Sequence, residues 1–267
     1  MIMTAAVPYM NGRPLVWGLG REPGMDGFYA VPSQIAEMLA KEEIVAGLVS
    51  IVACFANPRL RIVPGISISC NGPAESVKLF YNGDLSSIRK VALDTSSLTS
   101  VMLARIILQE RYGLSPEFLS MHPSVSDMLA PCDGAVVIGD TTMLVPSGRS
   151  SELDLGSEWH AMTGLPFVFA VWAVNPHMAS AELVDALERS KAFGLSHLHD
   201  VANAESGRLG IPEGVCYHYL SEIMDYDLTD RHMEAITLFR DKARQHGFIA
   251  GDHELTLYEP AERIAPV

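Results

Sequence analysis

Short apolar runs closed off by polar or turn residues alternate along this chain with stretches whose apolar positions recur at helical spacing. Residues 1–7, 44–51, 91–94 and 134–138 read as short buried strands, with further strands over 76–81 and near 118–121. Helical spacing marks 32–40, where Ile35, Met38 and Leu39 share a face, and 98–112, where Val101, Leu103, Ile106, Ile107 and Leu108 do. A short helix is expected at 125–129, and longer ones over 179–194, 197–207 and 229–247, the last with Ile236, Leu238 and Phe239 toward a core. Residues 61–69 alternate as an extended segment before the turn Cys70-Asn71-Gly72-Pro73. Residues 163–174 are almost wholly apolar, as in a strand returning through the middle of the molecule. Residues 18–27 and 147–151 read as connections.

Strands alternating with helices imply an α/β fold with a parallel sheet, and 267 residues allow either two lobes or one large domain. A net charge of -13 speaks against nucleic acid or an anionic membrane as a partner but leaves a small anionic ligand open. Residues 1–8 lack a basic, then apolar, secretory leader, and no apolar run would span a bilayer, so a cytoplasmic protein is expected. Cys54, Cys70, Cys132 and Cys216 are widely separated, which predicts small buried side chains and neither a disulfide framework nor a zinc cluster. The histidines, His197 and His199 included, have no ligand spacing, so neither a metal nor a cofactor is expected. Dinucleotide, P-loop, nucleophile-elbow and paired-carboxylate motifs are all missing.

What remains is a concentration of hydroxyls at strand ends. In Leu93-Asp94-Thr95-Ser96-Ser97-Leu98-Thr99-Ser100 an apolar strand gives way to an amphipathic helix, and Ser96 or Ser97 is placed to cap it. Free N–H groups, the positive end of the helix dipole and the hydroxyls would converge there, as a carboxylate or phosphate requires. Serines also cap helices that bind nothing, and the residues alone leave both readings open. Tyr9, Asn11 and Arg13 follow the first strand, where α/β folds place their ligand crevice. Asn11-Gly12 also makes a turn by itself. Gly139-Asp140 forms a second strand-to-helix turn, where Asp140 is a candidate cap.

In order along the chain, Val7-Pro8-Tyr9-Met10-Asn11-Gly12-Arg13-Pro14-Leu15, Ser67-Ile68-Ser69 with Gly72-Pro73 and Glu75-Ser76-Val77, Asp94-Thr95-Ser96-Ser97, Ile138-Gly139-Asp140, and Asp154-Leu155-Gly156 followed by Trp159 and Thr163-Gly164-Leu165-Pro166-Phe167-Val168 stand out as motifs. Together they closely resemble the chorismate dehydratase family of the futalosine route to menaquinone. The resemblance covers the first two-thirds of the chain; Pro8, Met10, Cys70 and Leu98 depart from the family's usual residues. It implies a two-lobed fold like the type II periplasmic-binding proteins, with a ligand cleft between lobes formed by residues 1–84, 85–166 and a return of 167–267 to the first lobe. It also implies the reaction, loss of water from chorismate to give 3-[(1-carboxyvinyl)oxy]benzoate.

The roles that follow from the resemblance are Asn11 and Ser76 in catalysis, and Tyr9, Arg13, Ser50, Ser69, Thr95, Ser96, Ser97, Thr99, Gly139 and Asp140 in substrate binding. Arg13 contacting substrate and Arg13 packing locally stand as equal alternatives. Glu75, Asp94 and Asp140 are the only carboxylates expected near the reacting site, and the substrate's own enolpyruvyl carboxylate is preferred to any of them as proton acceptor; Asp94 is expected to shape its loop. A non-catalytic anion-binding protein of the same fold, or the sister enzyme that releases dihydroxynaphthoate, is the alternative.

Overall fold

The computed structural model describes residues 1–145, 148 and 150–260. The first unit runs β1 (Ile2–Ala6), α1 (Arg13–Val16), β2 (Met25–Tyr29), α2 (Pro32–Ala40), β3 (Ala46–Ser50), α3 (Ile51–Ala56) and β4 (Arg61–Cys70). A second series follows: β5 (Val77–Tyr81), β6 (Lys90–Asp94), α4 (Thr99–Glu110), β7 (Glu117–Met121), α5 (Val125–Leu129), β8 (Gly134–Ile138), β9 (Ser151–Asp154) and α6 (Leu155–Thr163). The chain then returns through β10 (Phe167–Val174) and ends in α7 (Ala181–Ser196), α8 (Leu198–Leu209), α9 (Glu213–His218) and α10 (Asp230–Gln245).

Two five-stranded sheets result, ordered β2-β1-β3-β10-β4 and β7-β6-β8-β5-β9. Both are mixed, where a parallel sheet was expected. β1 is parallel to β2 and β3, but β10 runs antiparallel between β3 and β4. In the second sheet β6 is parallel to β7 and β8, and β5 is antiparallel to β8 and β9. The return strand makes the difference in the first sheet, because a chain re-entering from the second unit arrives from the opposite end.

The pairing of β5 corrects the expected boundary between residues 84 and 85. Val77–Tyr81 pairs with β8 and β9, so the chain has already crossed to the second sheet within 71–76. β2 corrects the connection expected over 18–27: its side chains are mostly exposed and carry no apolar alternation, and its backbone pairing to β1 makes it an edge strand. Residues 163–166 close α6 through left-handed Gly164 (φ 69°), so the return strand starts only at Phe167. α6, β9 and α9 were not anticipated; the loop expected over 147–151 falls partly on 147 and 149, outside the described residues. All four cysteines are buried and free.

Asp154 ties the two passages between the sheets together. Its carboxylate accepts the N–H groups of Ala74 (3.0 Å) and Glu75 (2.7 Å) on the outward passage and caps α6 through Ser157 N–H (2.9 Å) on the way back. Next to it, Gly156 packs against the outward passage so closely that a Cβ would fall 2.6 Å from Gly72 O and 2.8 Å from Cys70 Sγ. Fully buried Trp159 then donates to Pro166 C=O (2.9 Å) and packs edge-on against Phe167 and Phe239. The Asp154-Leu155-Gly156 motif thus fixes the connection that carries Ser76.

Gly156→Ala should destabilise the fold by about 1–3 kcal/mol, since the obstacle is backbone and a packed side chain. Thermal unfolding measures this, and an unchanged midpoint would show that the passage has room to give.

Candidate functional site

A cleft of about 580 Å³, counting the space open to solvent, lies between the two sheets at strand ends. From the first sheet come Val7, Tyr9 and Asn11 after β1, Ser50 at the end of β3, Ile68 of β4, and Phe169 and Ala170 of β10. From the second come Ser76 and Val77, residues 96–100 ahead of and within α4, Ile138 at the end of β8 and Gly139 after it. This is the crevice that α/β chain ends are expected to form. Among the described residues no carboxylate, imidazole, ammonium, guanidinium or thiol lines it. Its polar surface is hydroxyl, carboxamide and backbone.

The start of α4 is built around Asp94. This buried carboxylate accepts Ser96 N–H (2.8 Å), Ser96 O–H (2.6 Å) and Ile138 N–H (3.3 Å), so it shapes the loop as expected. The helix itself begins at Thr99 after Leu98, yet Ser97 Oγ accepts the Ser100 N–H (3.1 Å) and does the hydrogen bonding of a cap. The first intrahelical bond is Met102 N–H to Leu98 C=O, so the N–H groups ahead of it have no partner within the helix, and Ser97 takes that of Ser100. Thr99 is hydrogen bonded to Ser50 Oγ and reaches Phe169 C=O (3.4 Å), joining the second unit to the first across the cleft. Thr95 faces away: it is exposed, and its N–H extends the sheet by pairing with Met121 C=O.

On the opposing wall the Tyr9 hydroxyl faces Ser96. Burial, together with the negative charges of Asp94 and Asp140, raises its pKa above the ordinary tyrosine value, so it stays a protonated donor. Gly139 adopts φ +72°, and a Cβ there would meet the Tyr9 ring at 3.1 Å, so this glycine lets the aromatic lie against the turn. Ser76 is backed by a residue that the sequence did not reveal. Tyr219, buried to 1% exposure, has its hydroxyl 2.7 Å from Ser76 Oγ. The only signal it carries in the sequence is that a tyrosine in an apolar run needs a partner for its hydroxyl.

Four expected site residues lie outside the lining. Arg13 packs locally: it pairs with buried Glu205 (3.0 Å), reaches Pro8 C=O and stacks over the Tyr29 ring (4.1 Å). Ser69 is fully buried in β4 and donates to Asp225 C=O (3.0 Å), because a segment of the C-terminal third lies along that edge. Thr95 is the third. Asp140 is the fourth, and it does not cap its own turn. Its carboxylate accepts the Met10 N–H (3.0 Å) and pairs with Arg208 (2.9 Å), whose guanidinium also holds Glu205. Burial raises the pKa of Asp140, opposed by the Met10 and Arg208 hydrogen bonds. It therefore locks the Asn11 loop to the second unit from behind the cleft.

Comparison with known proteins bears on the family and the fold. A family model described as "Menaquinone biosynthesis" matches residues 2–245, reaching well past the first two-thirds where the motifs lie. The chain is 34% identical over 233 residues to the chorismate dehydratase of Thermus thermophilus, covering 79% of this chain and 84% of that one. It is 28% identical over 172 residues to the chorismate dehydratase of Campylobacter jejuni, covering 61% and 63%. Among solved structures, protein AF1704 of Archaeoglobus fulgidus superimposes with a TM-score of 0.74 at 14% identity, over 93% of this chain and 98% of that one. The periplasmic aliphatic sulphonate binding protein SsuA of Escherichia coli does so with a TM-score of 0.67 at 13% identity, over 100% and 96%. At these identities the structural matches establish the fold, that of the periplasmic-binding proteins.

Two expectations follow. Asp140→Ala strips Met10 N–H and Arg208 of their shared acceptor and should cost about 1–3 kcal/mol in chemical denaturation, whereas an unshifted midpoint would show that this tie carries no load. At Asp225, burial pushes the carboxyl up, but the hydrogen bonds from His232 and Asp227 N–H outweigh it and hold the pKa below the ordinary 3.8. Its stabilising effect is therefore present above pH 3.8 and lost as the pH falls through the lowered value. Asp225→Asn should lower the melting temperature at pH 7 and lose that difference in strong acid; a gap that persists at pH about 2 would contradict the assignment.

Proposed function

The chain belongs to the menaquinone biosynthesis family, and we propose that its activity is that of a chorismate dehydratase, a carbon–oxygen lyase that converts chorismate into 3-[(1-carboxyvinyl)oxy]benzoate and water. The observation that carries the reading is the similarity to the Thermus thermophilus dehydratase over most of both chains. The cleft supports it, being lined with neutral hydrogen-bonding groups from both units. The proposed partner is the small molecule alone, with no cofactor, acting in the cytoplasm.

The proton to be lost sits on the carbon that bears the enolpyruvyl ether, gamma to the ring carboxylate across a double bond. When that C–H bond breaks, its electron pair can spread onto the ring carboxylate. The C–O bond to the neighbouring hydroxyl then breaks, and the ring becomes aromatic. Donors fixed around the ring carboxylate stabilise the charge as it develops, the largest contribution that a preorganised site offers. In this reading Ser97 at the head of α4 supplies its hydroxyl proton, and Ser96 and Thr99, whose protons otherwise go to Asp94 and Phe169 C=O, turn to the substrate when it binds, with Ser50 and Tyr9 beside them. Thr95, which faces solvent, drops out of that role.

Asn11 and Ser76 bind the remaining polar groups of the substrate from the far wall. Asp94 and Asp140 are committed to loop N–H groups and to Arg208, and Glu75 does not line the cleft. That supports the enolpyruvyl carboxylate of the substrate as the proton acceptor, with the protein supplying geometry. The proton and the departing hydroxide leave as one molecule of water.

Purified protein incubated with chorismate should yield the enolpyruvyl benzoate, identified by mass and ultraviolet absorbance, and Asn11→Ala should lower turnover by about 100-fold or more. Binding without conversion would favour a non-catalytic binding protein, and neither binding nor conversion would turn attention to the dihydroxynaphthoate-releasing enzyme. Near-normal turnover in Asn11→Ala would remove that residue from the mechanism.

A further inference from the structure

Ser76 is held by its backbone on both sides. Its N–H bonds Ala74 C=O (2.6 Å), and its C=O accepts Gly139 N–H (2.8 Å). What these bonds leave unfixed is the side-chain rotor and the direction of its hydroxyl proton. Tyr219 acts on that remaining freedom. It opens a π-helical segment, Tyr219–Ile223, that follows α9, a rare geometry often found at functional sites. The placement drives its phenol to the back of the cleft wall, against the Oγ of Ser76, which lines the cleft.

A phenol has one proton to give and lone pairs to accept, and a serine hydroxyl is built the same way. When the phenol donates to Ser76 Oγ, the serine's own proton is left to donate into the cleft. When the order is reversed, Ser76 donates to the phenol and turns its remaining lone pair to the cleft. Either order fixes a hydroxyl that a free rotor would present as an average. Burial keeps the phenol protonated, so it directs protons without surrendering its own.

We propose that Tyr219 is a positioning residue for the elimination, fixing the Ser76 hydroxyl in one orientation toward the cleft; this rests on the dehydratase reading of the same cleft. Tyr219→Phe removes a single oxygen and keeps the ring. It should lower kcat by about 10- to 100-fold with a much smaller change in KM, because misdirected donors cost most in the transition state.

The decisive measurement is a double-mutant cycle with Ser76→Ala. If Tyr219 acts through Ser76, adding Tyr219→Phe to Ser76→Ala should change kcat/KM by less than about 3-fold. Removing both hydroxyls strands no buried partner, so the double variant folds even where Tyr219→Phe alone is destabilised. Full kcat in Tyr219→Phe, or an equal loss in both backgrounds, would overturn the proposal while wild-type turnover stands. A wild-type protein inert toward chorismate would instead overturn the dehydratase reading and this role with it.

Discussion

Both passages of the chain between its two sheets are fastened by one carboxylate. Asp154 takes the Ala74 and Glu75 N–H groups of the outward passage and the Ser157 N–H at the head of α6 on the return. A carboxylate accepting several N–H groups is the strong form of hydrogen bonding, and its donors lose their reach if any part shifts. Glu75 is held there in the left-handed region (φ 56°), a conformation costly for a residue with a side chain. Ser76 leaves that clamp directly into the cleft wall and then into β5. The position of a cleft residue thus follows from an interaction that never touches the cleft.

The same division of labour runs through the site. Charged groups stand one layer behind the lining. Asp94 shapes the 94–100 loop, while Asp140, Arg208, Glu205 and Arg13 brace the loop carrying Tyr9 and Asn11. The lining is left to hydroxyls, a carboxamide, backbone and apolar surface. Neutral donors held by buried charges keep a fixed direction without bringing a full charge of their own into the cleft, which is how a preorganised site stabilises charge as it appears.

Much of this was legible in the chain because it is local. The buried strands around 46–50 and 134–138, the helix from Pro32 and the hydroxyl-rich head of α4 announce themselves by periodicity and capping chemistry. What escaped depends on pairing between distant residues. β2 is polar and exposed, and only its backbone bonds to β1 make it a strand. β5 reads as a strand, but which sheet it joins is decided by β8 and β9, far along the chain. Arg13 looked equally fit for substrate or for packing until Glu205 was seen beside it. Tyr219 lies in the C-terminal third, where no motif marks it, and its importance comes wholly from what it meets.

The neutral lining also bears on how a ligand arrives. A dicarboxylate approaching a protein of net charge -13 meets repulsion at long range, and among the described residues no cationic side chain lines the cleft to focus the field in its favour. That repulsion extends over a Debye length of about 8 Å at physiological ionic strength and shortens as salt is added. Capture of such a ligand is therefore hastened by salt, the reverse of electrostatic steering, while the hydrogen bonds that hold it afterwards, short-ranged and shielded within the cleft, are little affected.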